Sequence, residues 1–122
     1  MIYYHGTDQA IAELDRDICL TDDYDLAEHY ADDKLGATIV TIDVAIGALT
    51  GKLADDADLV DMAAELGIDI NSTYEAADDA DVQAALTARG YVGAEYGDTD
   101  TDGRTHTTLR LWADVTTYAT II

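Results

Sequence analysis

Whatever this chain folds into has to hold together against its own charge. Twenty-six Asp and Glu face six Lys and Arg, a formal net charge of −20. In ordinary salt such a surface repels itself strongly. At molar salt the Debye length is about 3 Å, and that repulsion largely disappears. The composition therefore fits a halophilic setting. A second reading is that the acids imitate a nucleic-acid backbone and occupy a DNA-binding partner, which needs them concentrated on one face. In the sequence they run along the whole chain. The charge argues against direct nucleic-acid binding, which requires a basic footprint.

The chain has 122 residues, the usual size of one domain, and 48% of them are hydrophobic, enough for a real core. Residues 1–122 are read as a single domain, with no internal repeat, Pro-rich linker or composition break. No run approaches the length of a membrane span. Met1-Ile2-Tyr3-Tyr4-His5 lacks the basic and apolar regions of a secretory signal. One cysteine, Cys19, forms no internal disulfide and fits a reducing cytoplasm. Asn71-Ser72-Thr73 matches a glycosylation sequon, and without a signal peptide it is read as a loop.

The apolar pattern predicts an α+β domain. Ile2 to His5 reads as a short strand stopped by Gly6, Gln9 to Leu14 as a helical turn, and Ile18-Cys19-Leu20 as a second strand. Thr21, Asp22 and Asp23 offer N-caps to a helix carrying Leu26, Ala27 and Tyr30 on one face. Ala37 to Val44 is the clearest strand, with Val40, Ile42 and Val44 pointing one way. Helices are predicted over Asp56 to Leu66, ended by Gly67, and over Thr73 to Arg89, ended by Gly90. Tyr91 to Tyr96 and Thr105 to Trp112 read as strands around a turn from Asp98 to Gly103, followed by a short tail.

Three short constellations carry chemistry. The first is Tyr4-His5-Gly6-Thr7, a His held at a strand end beside a Gly that lets a ligand approach the backbone. The second is Leu20-Thr21 followed by the helix that ends in Tyr30-Ala31. The third is Gly90-Tyr91-Val92-Gly93 ahead of the last hairpin. Taken alone, His5 reads as a core-satisfied histidine, Tyr30 as a core residue and the third as a hairpin.

In this order, the pieces resemble the ADP-ribosyltransferase superfamily in its histidine–tyrosine–glutamate branch. That branch includes PARP-like enzymes and small phage-type relatives, some of them anti-CRISPR proteins. The resemblance implies a split β-sheet flanked by helices and a chain encoded by a phage or prophage. It implies NAD as substrate and ADP-ribose transfer to a macromolecular acceptor, with protein the leading class. His5 would hydrogen-bond the adenosine ribose, Gly6 and Thr7 would let the dinucleotide approach, Thr21 would join the binding site, and Tyr30 would stack on the nicotinamide ring.

One departure stands out. The branch expects a Glu at the start of the final strand, where this chain has Thr105-His106-Thr107-Thr108. The nearest carboxylates are Asp98, Asp100 and Asp102 in the turn and Glu95 on the preceding strand, with Asp98 or Asp100 the stand-in. Arg16 and Arg104 are candidates for the pyrophosphate. The same turn, Asp98 to Gly103, matches the opening of an EF-hand loop, but Leu109 occupies the position of the bidentate Glu and the flanks read as strands. The three His and one Cys show no zinc-ligand spacing. From a different class, a non-enzymatic acidic inhibitor or DNA-mimic interaction protein remains the alternative.

Overall fold

The computed structural model describes residues 1–7, 18–24, 27–28, 38–99 and 105–122. They form a mixed α+β fold around one seven-stranded sheet. Its strands are β1 (Ile2–Thr7), β2 (Ile18–Thr21), β3 (Thr38–Val44), β4 (Leu53–Ala54), β5 (Gly93–Thr99), β6 (Thr105–Leu111) and β7 (Ala119–Ile121). Their order is β4-β5-β6-β2-β1-β3-β7, antiparallel throughout except for the parallel β4/β5 pair. The described helices are α1 (Asp56–Glu65), α2 (Thr73–Asp78), α3 (Ala80–Ala88) and the short α4 (Val115–Tyr118), with a 3-10 turn at Ile46–Leu49.

The two faces of the sheet bury different cores, as the period-two alternation of strands requires. Tyr3, Leu20, Ile42, Val44, Leu109 and Leu111 pack on one face with Leu49 and Val115. Ala94 and Tyr96 pack on the other, under Leu59, Met62, Ala76, Val82 and Leu86 of α1 to α3. The expected one-sidedness of β3 is present: Ile42 and Val44 are buried and Val40 packs against them.

The helix ends follow from local chemistry. Asp55 caps α1 by accepting from the Asp58 N–H at 2.8 Å, and Asp58 returns a carboxylate to the Asp55 N–H at 3.1 Å. At the other end Gly67 adopts φ +71, and the Ile68 N–H reaches back to the Ala63 carbonyl at 2.9 Å. The single helix expected from Thr73 to Arg89 is two. Asp79 leaves the helical region at φ −79, ψ 124, and its carboxylate accepts from the N–H groups of Asp81 and Val82. A mid-helix Asp competes for backbone donors in this way, ending one helix and capping the next.

Three further expectations change. β1 does not stop at Gly6: Gly6 and Thr7 pair with Ile39 and Thr38 of β3. The turn does not begin at Asp98: Asp98 and Thr99 continue β5 opposite His106 and Thr105. The short tail carries α4 and β7, and β7 pairs with β3. The turn at Gln9 to Leu14, the helix end at Tyr30-Ala31 and residues Asp100 to Gly103 lie outside the described residues.

The sheet is one in strand order, but its ladder is uneven. Seven residue pairs join β5 to β6, four join β2 to β6 and six join β1 to β3. At β1/β2 the ladder is a single pair, Tyr4 opposite Thr21.

Candidate functional site

That narrow junction is where two of the sequence-assigned residues meet. His5 lies on β1, one residue past the Tyr4–Thr21 pair, and Thr21 ends β2. The His5 ring Nδ1 sits 2.8 Å from the carbonyl oxygen of Cys19 on β2. A carbonyl only accepts, so Nδ1 carries the proton and donates. The imidazole thus crosses from β1 to β2 where the backbone ladder has run out, and its orientation is set by the bond. Thr21 is buried, and its hydroxyl accepts from the Asp23 N–H at 3.1 Å, turning the chain out of β2. Gly6 and Thr7 follow His5 along β1.

Two tyrosines to which the sequence assigns no role of their own flank this point. The Tyr4 ring meets the Tyr24 ring edge-on, centroids 5.2 Å apart and planes at 87°. Tyr24 is 48% exposed, so this pair forms part of the outer wall of the junction. Tyr3 is buried on the opposite face. Burial pushes its phenol above the ordinary value, and the negative charges of Glu95 and Asp22 add to the shift.

The carboxylates divide by register. Glu95 stands opposite Leu109, which stands opposite Leu20, and both leucines share the core face of Tyr3. Glu95 is therefore on the Tyr3 face, and its own side chain is exposed. His5 follows Tyr3 by two residues, the same strand parity. Asp98 holds a register position of the Tyr96 parity, three strands from β1, roughly 14 Å at the usual strand spacing. Tyr30, Asp100, Arg16 and Arg104 lie outside the described residues.

Two glycines of the third constellation have architectural reasons. Gly90 has φ +95 at the end of α3, a conformation L side chains rarely adopt. A Cβ on Gly93 would collide with the Arg110 backbone oxygen and meet Leu111 Cδ2 at 3.0 Å, so β5 and β6 approach closely only because this residue is Gly. The alternation of Leu109 and Leu111 also hid a buried cation, because Arg110 points to the other face. Its guanidinium bonds Asp78 of α2 at 2.8 Å.

Among the described residues no cluster of three or more His, Cys, Asp or Glu is placed to hold a metal ion, and no helix is long and apolar enough to cross a membrane. The fold and the junction define the chain as a mixed α+β protein with a histidine-bridged strand seam. No family model, curated protein or solved structure matches it.

Proposed function

We propose that the chain is an ADP-ribosyltransferase-like protein that binds NAD beside the β1/β2 junction and transfers ADP-ribose to a macromolecular acceptor. The observation that carries this reading is the fixed His5 imidazole, 2.8 Å from the Cys19 carbonyl and one residue from the Tyr4–Thr21 pair. Two residues assigned to the dinucleotide from separate strands thus meet at one junction, His5 on the Tyr3 face and the buried Thr21 on the Tyr4 face.

In this reading NAD is the substrate. The bond from nicotinamide to the ribose C1′ breaks heterolytically, and its electron pair returns to the ring nitrogen, cancelling the positive charge. C1′ becomes oxocarbenium-like, so a carboxylate near the 2′-hydroxyl lowers the barrier. A nucleophile of the acceptor then bonds C1′ and gives up its proton to a carboxylate or to water. Tyr30 is the proposed stacking partner of nicotinamide. Asp98 and Asp100 are the carboxylates proposed from the sequence, and Glu95 joins them because it shares the Tyr3 face. The two riboses of a dinucleotide are separated by a pyrophosphate, so groups serving them belong several strands apart, as His5 and β5 are.

Equilibrium binding of NAD at molar salt, for the native chain beside His5→Ala, tests the reading. Binding by the native chain that the variant loses supports it. Equal absence of binding in both removes it.

One observation favours the acidic-inhibitor alternative. Residues 55–88 contain ten Asp and Glu and no Lys or Arg, and they form the layer of α1 to α3 over one face of the sheet. A basic partner held at low salt and released as salt rises would support it. Retention that is independent of salt would not.

A further inference from the structure

Tyr3 is a polar side chain sunk in an apolar core. It is 5% exposed and packs with Leu20 and Leu109, which stand between β1 and β5 on this face of the sheet. Among the described residues none hydrogen-bonds its hydroxyl. Two carboxylates converge on that hydroxyl. Glu95 lies on the same face, three strands away on β5, with its side chain exposed. Asp22 follows Thr21, and the antiparallel Tyr4–Thr21 pair brings it level with Tyr3. Burial first, then Glu95 and then Asp22 push the phenol above its ordinary value, so both carboxylates are within electrostatic reach of it. For Glu95 to be felt from three strands away, the phenol has to lie across β2 and β6 toward β5. The neighbouring imidazole on this face, His5, is turned to the Cys19 carbonyl.

We propose that Tyr3, Glu95 and Asp22 form a binding site for a primary ammonium group, the kind a lysine side chain or a free alkyl diamine carries. A tetrahedral ammonium has three N–H donors and no acceptor, one for the phenol oxygen and one for each carboxylate. A guanidinium is a planar fork and suits a single carboxylate with two parallel bonds. A metal ion is a poorer fit, because among the described residues no cluster of three or more His, Cys, Asp or Glu is placed to hold one. A bound ammonium gives a buried hydroxyl a partner and neutralises two like charges that face the same phenol. The site uses no NAD, so the failure of either reading leaves the other standing.

Titration of the full chain with n-butylammonium tests it, read by NMR from the amide shifts of Tyr3, Asp22 and Glu95. The ionic strength is fixed where the chain is folded, at about pH 8, where an ordinary imidazole is neutral and the amine is charged. In the native chain the shifts saturate. Tyr3→Phe, Glu95→Gln and Asp22→Asn each weaken binding about threefold to tenfold, the equivalent of one hydrogen bond. Asp61→Asn removes one charge from α1, over the other face of the sheet, and changes binding by less than about twofold. Tetramethylammonium, of equal charge and without N–H donors, gives no saturation. N-acetyl-lysine amide and diaminobutane, run as competitors, tell which source the site prefers, and displacement by either supports the site. Four results overturn the proposal. The native shifts do not saturate, or Tyr3→Phe binds as the native chain does, or Asp61→Asn weakens binding as much as Glu95→Gln, or tetramethylammonium binds as tightly as n-butylammonium.

Discussion

Arg110 and Asp78 form an ion pair of 2.8 Å whose two ends sit in different surroundings, the arginine side chain 7% exposed and the aspartate 59%. Removing the outer partner leaves a buried guanidinium short of one strong acceptor. Asp78→Ala is expected to cost about 1–3 kcal/mol in chemical denaturation. The Arg89–Glu65 pair is the control, since its side chains are 54% and 57% exposed. Glu65→Ala should cost under about 1 kcal/mol, and less still at high salt.

Gly93 and Gly97 lie on one strand but predict opposite outcomes. A methyl at Gly93 has to displace the Arg110 backbone, whereas a Cβ at Gly97 meets only Asp56 Oδ2 at an ordinary 3.8 Å. Gly93→Ala should lower stability by about 1–3 kcal/mol, the cost of overpacking. Gly97→Ala should be neutral or slightly stabilising, because Gly in a strand interior carries an entropic cost. Thermal melts of the two variants in one buffer decide the matter.

Tyr3 makes the fold sensitive to alkali. Its phenol is held above the ordinary value first by burial, then by Glu95 and Asp22, so the folded state favours the protonated form. That contribution is fully present below pH about 10 and is lost as pH rises through the higher folded-state value. Denaturation midpoints should fall above pH about 10 in the native chain. In Tyr3→Phe this part of the fall should vanish. A Tyr3→Phe profile parallel to the native one would refute it.

The carboxylate of the proposed reaction is separable by kinetics. Glu95→Gln is expected to retain NAD binding while slowing nicotinamide release by about 100-fold or more, the scale of one lost electrostatic contact to the transition state. Asp98→Asn, at a register position of the other parity, tests the other candidate on the same scale, and the larger loss marks which of the two carboxylates serves the reaction. Nicotinamide release measured for both variants reverses this assignment if Asp98→Asn is the slower.

Much of the fold was legible because local signals agreed. Ile42 and Val44 alternate with Thr41 and Asp43, and Gly67 and Gly90 mark helix ends by positive φ. The break at Asp79 was not legible, because Ala76 to Ala88 reads as continuous helix and a capping carboxylate looks like any surface acid. β4 has two residues and leaves no period to detect. The site was legible in its parts and not in its assembly. His5 and Thr21 stand out as residues, but their adjacency depends on strand order, which no local pattern encodes. The Tyr3 environment depends on Glu95, three strands along in space and far along the chain.

The strand order also sets a timetable for folding. Three adjacent strands, β2-β1-β3, come from the first 44 residues, while both neighbours of that group arrive late, β6 on β2 and β7 on β3. During synthesis the nascent group therefore waits with two open edges until almost the whole chain has emerged. Such distant pairings make folding slow and leave strand edges exposed meanwhile. In ordinary salt a net charge of −20 sets copies of the chain against one another during that interval, whereas at molar salt the repulsion is screened and the half-built sheet has to rely on rapid closure by its last strands.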